Sequence, residues 1–351
     1  MDSGGGCVNP HGLLDVDIMH IPKTGVISLH SDLGSLKLRV TSDEKCHGHD
    51  WHEDPCLAGV PTVTYLRSPR SHVLSQFLQC SHEARRNTAG HFVEGRPFPE
   101  QSPEIMDNFD SWLGAFDPSR YGYGAAADWN CYNPTNMMTR YLACGPRATT
   151  PHHADGIGPP SLALALNRLS NFTLVSLPRC WTHVNTVPHT ARRHNSVEVT
   201  RWPLTCCGPF VCTTQVGLTE YYAESLCLVE YVVRRPPASP SVLLALDIRR
   251  HISPATLRLW GCQVRRKLPG WCSCAELSDR QMAHETHGVP AHDASLMSSW
   301  TARKVDSLTE LDRHLYRAGA GRFLREVTRM ERDTGREVLC KKRREELIGL
   351  L

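Results

Sequence analysis

Met19-His20-Ile21-Pro22-Lys23-Thr24-Gly25 stands between a run that reads as a buried strand and a stretch that turns into a helix. Before it, Leu13, Leu14, Val16, Ile18 and Ile21 form a mostly apolar run with β-branched residues, as a covered strand requires. Pro22 and Gly25 then halt the strand ladder and release backbone N–H groups from it. Such amides at a helix N-terminus, with one Lys and one Thr hydroxyl, are the ordinary physical means of holding a phosphate group. The loop is not the common nucleotide-triphosphate loop, in which a Gly-Lys-Ser/Thr triplet closes the motif; here Lys23 precedes Gly25.

A second strand, turn and helix follows. Val60 to Leu66 reads as a strand with Val63 and Tyr65 on one face and Thr64 and Leu66 on the other. Arg67-Ser68-Pro69 turns into a helix beginning near Ser71, with Val73, Leu74, Phe77 and Leu78 at helical spacing. A planar Arg fork at the turn and a Ser hydroxyl on the following helix, Arg67 and Ser75, suit a second phosphate.

The 351 residues permit one large α/β domain or two smaller ones. With 21% charged and 40% hydrophobic residues the chain as a whole reads as globular, while 24 Pro and 25 Gly point to many loops. A net charge of +3 is too weak to argue for nucleic acid. No apolar run of about 18 residues occurs, and the N-terminus lacks a signal-peptide layout, so the chain reads as soluble or as having lost an anchor. The 15 Cys fit either several disulfides in an oxidising compartment or buried thiols and metal ligands in a reducing one. The dense stretch Cys46-His47-Gly48-His49-Asp50-Trp51-His52-Glu53-Asp54-Pro55-Cys56 lacks a CxxC or HxxxH pair, and a Cys46–Cys56 disulfide closing a surface loop reads better there than structural zinc.

His20-Ile21-Pro22-Lys23-Thr24-Gly25 resembles the 5′-phosphosulfate loop of the Golgi carbohydrate sulfotransferases, which use 3′-phosphoadenosine 5′-phosphosulfate (PAPS). Leu66-Arg67-Ser68-Pro69 with Ser75 resembles their 3′-phosphate motif. Gly48-His49-Asp50-Trp51 is similar to the His-x-Asp-Trp-x-Glu segment of the heparan sulfate 6-O-sulfotransferases, with one residue deleted between His49 and Asp50. Asn133, Asn136, Arg140 and Leu142 resemble a segment that lies near cofactor and acceptor in the same enzymes, and Asp312 to Phe323 looks like their C-terminal helix. These matches, in the family's order, cover about half of the chain. They imply an α/β, P-loop-like three-layer fold with a central parallel sheet flanked by helices, the cofactor lying across the carboxyl ends of the strands.

The resemblance also implies the sites. Lys23, Thr24, Gly25 and Ser28 would hold the 5′-phosphosulfate, and Arg67 and Ser75 the 3′-phosphate. His49 would take the proton from the acceptor hydroxyl, with His47 and His52 as alternatives. Lys23 would also stabilise charge on the leaving phosphate oxygen. The implied acceptor is a glycosaminoglycan-like glycan and the implied location the Golgi lumen, with no nucleic-acid partner and no membrane span in this chain. Two departures stand out: Val26-Ile27 occupy positions where the family has Gly-Thr, and His72 one where it often has Arg. They motivate a rival reading, a degenerate non-catalytic member that binds glycans. A third reading is a zinc-binding interaction protein built on residues 46–56.

The remaining expectations concern organisation. Residues 84 to 128 read as loop with short helices, Met137, Met138, Tyr141 and Leu142 as one side of an amphipathic helix, and Ser161 to Leu174 as a helix followed by a strand start. Residues 175–215 have no steady period, and joining Asn171-Phe172-Thr173-Leu174 directly to Val216-Gly217-Leu218-Thr219-Glu220 restores a strand, a turn and a family-like pattern. We read 175–215, and about 233–263, as insertions into a single domain spanning 1–351, of retained-intron or lineage-specific origin. Leu218 to Val232 reads as a helix with Tyr222, Leu226, Val229 and Val233 on one stripe and Glu220 in its first turn. Cys272-Ser273-Cys274 reads as disulfide or buried thiol. Ser307 to Arg332 reads as one long helix, capped by Asp306 or Ser307, with Leu308, Leu311, Leu315 and Ala318 buried. Lys341 to Arg344 reads as a solvated basic face.

Overall fold

The structure is a computed structural model that describes residues 16–43, 62–88, 103–114, 116, 132–143, 160–171, 214–233, 268–279 and 293–351. Four short strands, β1 (Val16–Met19), β2 (Val40–Asp43), β3 (Thr62–Leu66) and β4 (Thr214–Leu218), form one sheet in the order β2-β1-β3-β4. All three pairings are parallel, with Ile18 opposite Val63 and Tyr65 opposite Gly217. The chain leaves the central β1 to one side to make β2, then crosses back to make β3 on the other side. That reversal is the topological switch point of an open parallel sheet, where the strands' carboxyl ends leave a crevice.

Period-two alternation assigns the two faces. Val16, Ile18, Val63 and Tyr65 pack against α1 (Val26–Ser35) through Val26, Leu29 and Leu33, and against α6 (Tyr222–Val233) through Tyr222, Leu226 and Val229. On the other face Met19, Leu66, Val216 and Leu218 meet α4 (Met137–Ala143), α5 (Leu162–Asn171) and α9 (Glu310–Thr334). The result is an α/β arrangement with helices on both faces of a parallel sheet. Gly217 is demanded by this packing, because a Cβ there would lie 2.6 Å from Cζ of the buried Tyr65 ring. A separate cluster joins α2 (Pro69–Thr88), α3 (Pro103–Gly114) and α8 (Ser299–Leu308), with Phe77, Phe109 and Trp112 at its centre. Arg70 binds Asp306 in a two-pronged ion pair, 2.9 and 2.7 Å, that ties α2 to α8.

Several expectations need correction. Leu218 ends β4, and a 3-10 turn over Thr219–Tyr221 precedes α6, because Leu218 pairs with Leu66 in the sheet. The expected long C-terminal helix is two, α8 and α9, broken at Thr309. Asp306 lies inside α8, engaged by Arg70, and caps nothing. Ala318 is exposed, Leu311 is half-buried, and the buried side of α9 runs through Leu315, Tyr316, Ala320, Phe323, Val327 and Met330. The basic run opens α10 (Lys341–Gly349), where Arg343 pairs with Glu224 and Arg344 with Glu331, so half of that run docks the helix instead of facing water.

Other features agree with the sequence. The stripe Tyr222, Leu226, Val229 and Val233 faces the sheet, and the helix after β3 carries Val73, Leu74, Phe77 and Leu78 into one cluster. Cys272 and Cys274, the second of which opens α7 (Cys274–Asp279), are both in disulfides, with Cys227 and Cys340 respectively. The inserted segment read as 175–215 is corrected at its end, because Thr214 and Gln215 belong to β4, Gln215 in register with Val63. Residues 175–213 and 234–263 lie outside the described residues. No helix among the described residues is long and apolar enough to cross a membrane.

Helices α4 and α9 meet N-terminus to N-terminus, and each caps the other. Asn136, at φ 48°, accepts at Oδ1 from Leu311 N–H, 2.9 Å, in the first turn of α9. Asp312 accepts from Met138 N–H at 3.1 Å and from Thr139 N–H and Oγ1–H at 2.7 Å each. Orphan amides in both first turns are thereby satisfied by side chains of the other helix.

Candidate functional site

The turns leaving β1, β3 and β4 meet at the carboxyl edge of the sheet. After β1, residues 20–25 wrap tightly: Thr24 donates from Oγ1 to Ile21 O at 2.7 Å, and Lys23 and Gly25 take left-handed φ values of 65° and 83°. Gly25 needs that freedom because it is the residue from which α1 departs, and a side chain is strained at such a φ. After β3, the Arg67 guanidinium donates to Lys23 O at 3.0 Å. After β4, Thr219 Oγ1 shares its proton between Thr24 O at 2.7 Å and Leu66 O at 3.2 Å. One hydroxyl therefore links all three turns.

Electrostatics reinforce this arrangement. Burial works against the Arg67 charge, and nearby Glu220 supports it. Glu220 does not cap a helix; its carboxylate accepts from Ser68 N–H at 2.7 Å and from Tyr316 Oη–H at 3.0 Å. The Lys23 ammonium donates to Gln79 Oε1 at 2.9 Å. On the same side of α2, His72 contacts Pro22 O through Nε2 at 2.8 Å, and Gln76 Nε2 lies 3.2 Å from His72 Nδ1.

The structure thus brings together Lys23, Thr24, Gly25 and Arg67. Ser75 is buried on α2, with His72, Gln76 and Gln79 at helical spacing around it, and Ser28 is buried in the first turn of α1. Val26 turns its side chain into the core and Ile27 is 43% exposed, so the β-branched pair does not close the loop from within. Asn136 and Arg140 serve the core: Asn136 caps α9, and Arg140 donates to Thr135 O at 2.9 Å and Asn133 O at 2.5 Å. His49, with the rest of residues 46–56, lies outside the described residues.

His72, Gln76, Gln79, Thr219 and Glu220 also belong to this constellation. His72 stands out in the sequence as a departure from the resembling family and Thr219-Glu220 as part of the family-like pattern after β4, whereas Gln76 and Gln79 carry only a faint signal, sharing with His72 one side of the helix that bears Ser75.

Chemically, the loop combines a helix N-terminus, two left-handed backbone positions and two cations at a switch point, the setting in which oxyanions are bound. Among the described residues no group of three or more His, Cys, Asp or Glu is placed to hold a metal ion. Comparison with protein-family models, curated proteins and solved structures yielded no match to this chain.

Proposed function

We propose that this chain is a PAPS-dependent sulfotransferase of P-loop-like fold that moves a sulfuryl group to a carbohydrate hydroxyl, in the manner of the heparan sulfate 6-O-sulfotransferases. The observation that carries the reading is the direct contact of its two phosphate-type motifs. Arg67 of the second donates to the Lys23 carbonyl of the first, 44 positions away in sequence, at the switch point of the sheet.

In this reading Lys23 and the Thr24–Gly25 turn face the 5′-phosphosulfate, with Ser28 beside them, while Arg67 and Ser75 face the 3′-phosphate. His49 accepts the proton of the attacking hydroxyl. A new O–S bond forms to the acceptor as the S–O bond to the 5′-phosphate breaks, and adenosine 3′,5′-bisphosphate leaves. Negative charge grows on the departing phosphate oxygen, where the Lys23 ammonium is most useful. The acceptor class is a glycosaminoglycan-like polymer and the compartment the Golgi lumen; the Cys227–Cys272 and Cys274–Cys340 disulfides support an oxidising environment.

A sulfate-transfer assay from PAPS to a panel of glycans tests the reading. Lys23→Ala and His49→Ala are each expected to lower turnover by about two or more orders of magnitude with the fold retained. Normal turnover in either variant removes that residue from the mechanism, and absence of transfer to every glycan removes the activity. Ile27 favours the second reading, a non-catalytic sulfotransferase-fold protein that binds glycans, because it offers no hydroxyl where the resembling family has Thr. That reading predicts no thermal shift with adenosine 3′,5′-bisphosphate.

A further inference from the structure

Every carbonyl of the loop from Ile21 to Gly25 already has a donor. Ile21 O is taken by Thr24 Oγ1, Pro22 O by His72, Lys23 O by Arg67, Thr24 O by Thr219, and Gly25 O by the first helical N–H, from Leu29. Three consecutive carbonyls are thus held by side chains from three other places in the chain. The described residues contain no cis peptide, and in a trans peptide the N–H points opposite to the C=O. Drawing the Pro22 and Thr24 carbonyls outward therefore turns the N–H groups of Lys23 and Gly25 to the inner side, while the Thr24 N–H closes the turn on Ile21 O at 3.4 Å. Arg67 and Thr219 sit on the turns after β3 and β4, but His72 comes from within α2 and is almost wholly buried.

The ring's protonation state follows from its partners. A carbonyl can only accept, so Nε2 carries the proton that goes to Pro22 O. Burial lowers the pKa of His72 to about 3, and Arg67, Lys23 and Arg140 oppose a second proton. Nδ1 is therefore a lone pair that receives Gln76 Nε2–H, which accounts for Gln76 turning its amide nitrogen to the ring although its Oε1 is left buried without a partner.

Resting on the functional reading above, we propose that His72 is a positioning residue of the anion site: as a neutral donor fixed by Gln76, it orients the Pro22–Lys23 peptide and with it the Lys23 side chain toward a tetrahedral oxyanion. The site does not recruit a histidine charge; it uses a fixed N–H.

The test measures calorimetric affinity of the full chain for inorganic pyrophosphate and for adenosine 3′,5′-bisphosphate, with thermal unfolding alongside. His72→Leu keeps bulk and deletes the donor, and is expected to weaken both ligands by about tenfold or more, while His72→Gln, whose amide N–H reaches a similar place, stays within about threefold of the parent. If His72→Leu does not fold, His72→Asn, polar but too short to reach Pro22, takes its place with the same expectation. Equal affinities in parent, Leu (or Asn) and Gln variants, with only the unfolding temperature lowered, overturn the proposal and leave the sulfotransferase reading standing. Binding of pyrophosphate but not of adenosine 3′,5′-bisphosphate, with the variant pattern intact, overturns that reading and supports His72. A parent that binds neither ligand overturns both.

Discussion

Thr219→Val is the sharpest probe of how the three turns are joined. The substitution keeps shape and removes one hydroxyl, whose proton is shared between Thr24 O at 2.7 Å and Leu66 O at 3.2 Å. Losing that bond at a part-buried position costs about 1–2 kcal/mol, since two carbonyls each lose a donor. A methyl in place of Oγ1 cannot stay 2.7 Å from Thr24 O, because carbon and carbonyl oxygen approach only to about 3.3 Å. The loop must therefore retreat by about 0.5 Å from Thr219 in a closely packed region. We expect urea unfolding to report a loss of about 1–3 kcal/mol, and calorimetry to report adenosine 3′,5′-bisphosphate affinity reduced about tenfold. Thr219→Ser, which keeps the hydroxyl, should restore the affinity. An unchanged unfolding midpoint and an unchanged affinity in Thr219→Val would refute the claim that this hydroxyl organises the site.

Two further predictions concern the frame that carries the site. Asp312 is wholly buried and its carboxyl is raised from 3.8 to about 6, by burial first and against the pull of its Thr139 and Met138 donors. The folded protein therefore holds this proton more tightly than the unfolded chain, so the stability it contributes is complete below about pH 4 and is lost as the pH rises through about 6. Relative to Asp312→Asn, which does not titrate, the parent should lose roughly 3 kcal/mol between those limits, and a stability difference that stays flat with pH in urea titrations contradicts the assignment. The disulfides Cys227–Cys272 and Cys274–Cys340 span 45 and 66 positions, which in the chain-entropy account contributes about 4 kcal/mol each. Thermal unfolding should accordingly fall markedly on adding reductant and, to a lesser degree, in the paired Cys274→Ser, Cys340→Ser variant; no change in either refutes the pairing.

The faces of β1 and β3 were legible because alternation reports one-sided burial directly: Val63 and Tyr65 separate from Thr64 and Leu66 as the period requires. The break at Thr309 was not, since apolar residues continue at helical spacing across it and Leu308 and Leu315 are buried on either side. Its cause is tertiary: Asn136 and α4 meet the start of α9, and the helix begins where that cap is. Leucine type alone places Leu218 in the helix that follows, whereas Leu66 across the sheet makes it a strand end. Lys23, Thr24 and Gly25 could be found by motif because their roles are local to a turn, and Arg67 because it stands in a motif of its own although its partner Lys23 lies 44 positions away. Thr219 and Glu220 reach partners 195 and 152 positions away, and such distances leave no mark on a local pattern. Disulfide connectivity was equally hidden, as Cys spacing never fixes it.

The departure at Val26-Ile27 bears less on competence than the state of Lys23 does. Val26 belongs to the core and Ile27 to the surface, and an anion that takes up the Lys23 ammonium in the proposed site would have to displace its hydrogen bond to Gln79. A bond from a charged donor in a part-buried place contributes about 1.5–3 kcal/mol, and one to a phosphate or sulfate oxygen is doubly charge-assisted where one to an amide is not. The exchange of Gln79 for an oxyanion is therefore downhill for the ammonium, and Gln79 returns to water or to its neighbours at the cost of a neutral acceptor. Arg67 can keep its bond to the Lys23 carbonyl through one of its five guanidinium donors. Because the Pro22, Lys23 and Thr24 carbonyls are held by His72, Arg67 and Thr219, an oxyanion in the proposed site could draw the Lys23 ammonium from Gln79 without requiring the loop backbone to move.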